Sequence, residues 1–137
     1  MISQTLCTSF KGQLFLAVHN FSTDTFKMAL YTASANLGAD TTVYVSAGEA
    51  SGTGYPPGGI IMTGATVGTG GTAGYVDFDN VVWGAMSVTV RGALIYNATK
   101  DSKAVAVLDF GADKTATPGL TVVMPANTST SALIRLP

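Results

Sequence analysis

A Ser/His/Asp triad in this chain would have to use His19, the one histidine among its 137 residues. Such a triad holds the imidazole between a hydroxyl nucleophile and an orienting carboxylate. No Gly-x-Ser-x-Gly elbow occurs to present the serine, so a small hydrolase would require His19 to sit in a cleft beside some other serine. The sequence reads it instead as a cationic cap near the end of an N-terminal helix. Cys7 is the only cysteine, which excludes an intramolecular disulfide and a cysteine metal site. Asp77 and Asp79 stand two apart in GYVDFDN, and on a strand that spacing puts both carboxylates on one face. Carboxylate pairs serve acid–base work or calcium, but the flanking residues do not follow a calcium loop, and a solvated strand face accounts for them. Asp109 and Asp113 flank the end of a strand in LDFGADK, where turn hydrogen bonds occupy such side chains. Arg91 is expected to pair with one of these carboxylates or with a neighbouring subunit.

The stretch SGTGYPPGG, Ser51 to Gly59, raises phosphate binding because Gly-rich loops cradle phosphates. A P-loop also needs a lysine and a hydroxyl directly behind its glycines, and no lysine follows here before Lys100. A dinucleotide fingerprint needs a helix whose N-terminus receives the pyrophosphate. Behind Gly52-Thr53-Gly54 stand Tyr55-Pro56-Pro57 and then a strand-like run; Gly68-Thr69-Gly70-Gly71 also lacks a helix. Pro56-Pro57 stiffens the backbone and removes two donors, as suits an extended edge or arm. No catalytic residue, cofactor site or metal site is assigned.

The elements that must position these residues follow from patterning. Leu6, Phe10, Leu14 and Val18 recur at four-residue steps, one apolar stripe on a short helix within residues 1–21. From Phe26 the period becomes two. FKMALYT, TTVYVS (41–46), GGIIMTGATVG (58–68), GYVDFDN, MSVTVRGALIYN, KAVAVLDFG, TVVMP and SALIRLP read as short strands parted by turns. KAVAVLDFG is apolar on both faces, as a central strand would be. Together they predict one all-β domain over residues 1–137: an antiparallel β-sandwich, jelly-roll-like, with a short N-terminal helix and a long Gly-rich loop or arm. Residues 48–74 hold ten of the 16 glycines, and an excursion of that length is usually functional or held by neighbours.

Composition bears on partners. Charged residues make up 11% of the chain, against roughly 25% in a typical soluble domain. A neutral surface of Thr, Ala, Gly and Ser suits a chain covered by other subunits, so a homo-oligomer or a larger assembly is expected. The seven Lys and Arg residues are scattered and the net charge is −1, which offers no basic stripe for nucleic acid. No apolar run approaches the ~18 residues of a membrane span. The N-terminal segment lacks a basic leader ahead of an apolar run, with Lys11 interrupting it, so secretion is not expected and the Asn-x-Ser/Thr triplets at Asn20, Asn97 and Asn127 read as accidental.

The segments FKMALYTASANLGADTTVY, GEASGTGYPPGG, VRGALIYN and AVAVLDFGADKTATPG resemble a family of small virion proteins encoded by tailed bacteriophages, including phages of cyanobacteria. The resemblance covers about Phe26 to Pro137. It implies a structural component of the particle, made in the host bacterial cytoplasm and residing in the virion at the capsid surface. The best match of role is a cement or decoration protein, trimeric at junctions between capsomers, with the major capsid protein as partner and no catalytic residues. The expected contact residues are Phe10 and Leu14 of the N-terminal helix and Ser51, Gly52, Thr53, Gly54, Tyr55, Pro56 and Pro57 of the loop. Deleting residues 52–59 is then expected to leave the sandwich folded while abolishing particle binding. The alternative is a tail, fibre or baseplate component for host recognition, with Tyr44 and Tyr55 stacking on sugar rings.

Overall fold

Unpaired backbone groups along a strand edge are satisfied by whatever extended chain lies beside them, and this decides the N-terminal segment. In the computed structural model, which describes residues 1–116 and 118–137, the pair Thr5–Leu6 (β1) adds to the edge of a long strand, Lys103–Ala116 (β8), with Thr5 opposite Val107 and Leu6 opposite Ala106. Cys7 continues the contact, its N–H donating to the Val105 carbonyl at 3.0 Å. The helix α1 is therefore confined to Thr8–Phe15, shorter than the 1–21 expected. It stops where Ala17 takes a left-handed φ of 56° and the Ala17 and Val18 N–H groups fold back to the Leu14 and Gln13 carbonyls. Only Phe10 and Leu14 of the anticipated stripe are helical; Leu6 belongs to a strand and Val18 lies past the end.

Strand makes up 42% of the chain and helix 6%, so the class is all-β, with antiparallel, sandwich-like sheets. Residues Phe26–Tyr31 (β2) pair with Val88–Asn97 (β7) from Phe26–Asn97 to Tyr31–Gly92. Ile60–Ile61 (β3) closes the outer edge of β2, giving the order β1-β8-β7-β2-β3. The double-sided apolar run is legible in the burial: Ala104 to Val107 are all buried, as are Gly92 to Asn97 on its neighbour. Register slips where Arg91 meets the 110–113 segment and again at Ile95–Tyr96; bulges of this kind twist a ladder and re-aim side chains.

Two smaller sheets complete the molecule. Thr66–Gly70 (β4) and Ala73–Asp77 (β5) form a hairpin extended by Ile134–Leu136 (β10). Val81–Trp83 (β6) pairs with Leu120–Val122 (β9). One apolar cluster joins all three sheets, with Phe10, Phe26, Phe78, Trp83, Leu94 and Ile134 among its members. The run GGIIMTGATVG is thus two strands, β3 and β4. TTVYVS does not become a strand: it meets the β8 end through a single bridge, Val43 to Lys103, with Tyr44 turned inward and Val43 and Val45 exposed.

The 48–74 region is not a free arm. Ala50 N–H donates to the Leu30 carbonyl, Met62 N–H to Phe26 and Ser87 N–H to Thr53, so its first half is laced to β2 and to the segment before β7. Its second half is the β4–β5 hairpin.

Candidate interaction surface

Glu49 organises the Gly-rich loop. Its carboxylate accepts from Tyr44 Oη at 2.5 Å, Tyr55 Oη at 2.7 Å and Gly58 N–H at 2.7 Å. Tyr55 Oη in turn accepts the Leu30 N–H of β2 at 2.9 Å, and Tyr96 Oη of β7 donates to the Gly58 carbonyl at 2.5 Å. Burial, reinforced by the neighbouring Glu49 charge, raises the ionisation of Tyr31, Tyr44, Tyr55 and Tyr96 above the ordinary phenol range. The glycines serve close approach. A Cβ on Gly59, at φ +80°, would stand 1.8 Å from the Met28 carbonyl oxygen, and one on Gly54, at φ +82°, 2.1 Å from that of Ala85. The loop donors Gly58 N–H and Tyr55 Oη are already taken by the Glu49 carboxylate, so the stretch is a clasp on the sheet.

This corrects two expectations. Tyr55 is a buried core residue and Tyr44 is half-buried with its ring 5.0 Å from that of Tyr96, so neither is free to stack on a sugar. Removing residues 52–59 would strip Tyr55 and Gly59 from β2, so the deletion is expected to damage the fold. Ser51, Gly52, Thr53, Gly54, Pro56 and Pro57 do lie exposed as an outer rim.

His19 is a buried part of the core. Thr99 and Lys100 N–H groups donate to Asn97 Oδ1 at 3.1 and 3.2 Å, which fixes the amide orientation and turns Nδ2 toward His19 Nδ1 at 3.0 Å and Asp24 Oδ2 at 2.8 Å. With Nδ1 accepting, the proton sits on Nε2, 2.7 Å from Gln13 Oε1. Desolvation lowers the His19 pKa, opposed by Asp24 and helped by Lys100 and Lys103. The ring is neutral, sandwiched near Phe10 and Phe26; it does not cap the helix as a cation. Both nitrogens are engaged by amide side chains, leaving none to activate a hydroxyl.

The carboxylates singled out by the sequence do not gather into one site. Arg91 Nε stands 3.4 Å from Asp109 Oδ1, which also accepts the Gly111 N–H at 2.9 Å, as anticipated for a turn carboxylate with a cationic neighbour. Asp77, expected on a solvated face, is only 2% exposed. Its Oδ1 accepts the Phe78 N–H at 2.9 Å, and Oδ2 has no partner among the described residues. Asp79 lies outside β5, exposed beside Thr63, so the two acids are not a pair. Cys7 is buried at the helix start, and burial with help from Asp40 pushes its thiol up to about 11. Among the described residues no three of His, Cys, Asp and Glu gather to hold a metal.

What stays open is apolar. Between α1 and the outer hairpin runs a groove of about 220 Å³, lined by Phe10, Leu14, Phe21, Val67, Tyr75 and Leu136 among others. Phe10 forms its buried floor and Leu14 its half-buried wall, so two of the anticipated contact residues meet here, one of them below the surface. Directly after Leu14 in the chain, and missed by the stripe argument, Phe15 is 92% and Leu16 76% exposed. A second groove, of about 520 Å³, follows the β8 edge beyond β1 and is walled by Phe110, Val122, Val123 and Met124. No helix among the described residues is long and apolar enough to cross a membrane. No family model, curated protein or solved structure matches the chain.

Proposed function

We propose that the chain is a structural component of a tailed-phage particle, a cement or decoration protein. It would bind the major capsid protein at capsomer junctions as a homo-oligomer. One observation carries this reading: large apolar side chains, Phe15, Leu16, Ile61, Val82 and Val123, stand exposed on a chain with few charges. Large apolar side chains left in water on a weakly charged surface suit faces covered by a partner. The resemblance of VRGALIYN and AVAVLDFGADKTATPG to small virion proteins supports the same reading. The groups that could do chemistry, His19, Glu49 and Asp109, are spent on holding loops. The rival role in a tail or fibre loses its stacking tyrosines to the Glu49 clasp.

Copy number tests the proposal. In purified particles the ratio of this band to the major capsid band is expected to correspond to hundreds of copies. A handful to dozens per particle would place the chain in the tail, and absence from particles would end the structural reading.

A further inference from the structure

We infer that the groove beside α1 is filled by Phe15 and Leu16 of a second copy of this chain. The inference rests on the homo-oligomeric part of the reading above and is independent of where on a particle, or whether on one, the oligomer sits.

The helix end is built to hold this pair outward. Leu16, Ala17 and Val18 N–H groups bond back to the Gln13 and Leu14 carbonyls at 3.1 to 3.2 Å. Lys100 Nζ, from the turn between β7 and β8, donates to the Val18 carbonyl at 2.7 Å. A frayed end could tuck two large apolar residues against the body, but this one is pinned. Phe15 is the most exposed large apolar residue among those described, so it does not fill the groove of its own chain. A rigid protrusion loses little freedom on docking, which favours association.

The groove fits such an occupant. Its lining, from α1, β4, β5 and β10 and including Phe10, Leu14, Val67 and Leu136, carries no Lys, Arg, Asp or Glu. It therefore offers no cation to a lipid headgroup or acidic peptide and no anion to a basic one. Its complement is an uncharged apolar pair, and the chain presents one, Phe15 and Leu16, directly after the groove residue Leu14. Area points the same way. An aromatic side chain buries about 150–250 Å², and Phe15 is 92% exposed. With Leu16 at 76%, Val67 at 60% and Leu136 at 54% exposed, a reciprocal exchange would cover roughly 800–1,000 Å² in all, near the ~1,000 Å² at which interfaces become specific. Weak, concentration-dependent pairing is the expected behaviour.

Sedimentation of the full chain from low micromolar to millimolar concentration tests this. The wild type is expected to associate, and two kinds of variant to weaken association at least about tenfold. One removes the protrusion, Phe15→Ser with Leu16→Ser. The other fills the groove, Gly74→Leu. Gly74 shares the groove-facing side of β5 with Val76, has no atom within 4 Å of a built Cβ and lacks a positive φ. If Gly74→Leu does not fold by circular dichroism, Val67→Glu at the exposed wall replaces it. Mixing the two kinds of variant should restore part of the association, because one supplies the protrusion and the other the groove. A wild type that stays monomeric throughout, association indifferent to either variant, or a mixture no better than its components would each overturn the inference. Particle copy number is measured separately, so either reading can fail alone.

Discussion

Asn97 Nδ2 lies between His19 Nδ1 at 3.0 Å and Asp24 Oδ2 at 2.8 Å, and the amide cannot turn over because two backbone N–H groups hold its oxygen. A proton on His19 Nδ1 would therefore face a donor. The facing charges are Asp24, Lys100 and Lys103; burial, helped by the two lysines, outweighs Asp24 and lowers the His19 pKa. The unfolded chain binds a proton near pH ~6.5 and the folded chain resists it, so stability is full above that pH and declines as pH falls below it. Asp24 adds a later loss. Burial raises its pKa, but hydrogen bonds from Asn97, Asn20 and Lys100 more than reverse that and lower it, so its contribution goes only as pH drops through its depressed folded value, below about 3.9. The urea midpoint should fall between about pH 8 and about pH 5, and His19→Gln should flatten that interval while leaving the loss at lower pH.

Tyr55→Phe removes the hydroxyl that joins Leu30 N–H to Glu49. Leu30 N–H loses a buried hydrogen bond and Glu49 a partly buried one, and the expected cost is ~1–3 kcal/mol. Urea unfolding followed by circular dichroism measures it. A neutral result would mean the clasp is ornamental.

Gly59→Ala sets a side chain against the Met28 carbonyl at 1.8 Å, at φ +80°. Backbone cannot yield cheaply, so a loss of roughly 3 kcal/mol or more is expected. Gly71→Ala is the control: φ is +58° but nothing lies within 4 Å, and only ~1–2 kcal/mol should be lost. Comparing the two melts separates contact from conformation.

Cys7 should resist thiol reagents in the folded chain, being buried with its pKa pushed up to about 11. Labelling near neutral pH should be slower by about 100-fold or more than in urea. Fast native labelling would mean that α1 and β1 open readily from the β8 edge.

The three long strands of the main sheet were readable because their signal is local: alternation in β2 and β7, and apolar residues on both faces of β8. That Arg91 would pair with a carboxylate or a neighbouring subunit was readable too, since few charges compete in this chain; that the partner is Asp109 was not. The helix limits were not, because Leu6 is paired with a strand edge a hundred residues away and a helical stripe looks the same until that edge is known. Tyr55 and Glu49 gave no signal for a comparable reason. Their partners, the Leu30 N–H of β2 and the Gly58 N–H of the loop, are backbone groups that no spacing of side-chain types announces. Asp77 was misjudged because alternation assigns a strand's second face to solvent, and here that face is covered. Phe15 and Leu16 stood in plain view just past Leu14, and their departure from the stripe was the clue.

The short β6–β9 ladder contains the chain's single tryptophan, Trp83, buried with its indole nitrogen unpartnered among the described residues. Only three residue pairs hold that ladder, whereas the backbone signal in circular dichroism is dominated by the five-stranded sheet. Fluorescence and circular dichroism thus watch different parts of one polypeptide, and a gap between their melting curves would reveal a flap that peels away before the body dissolves.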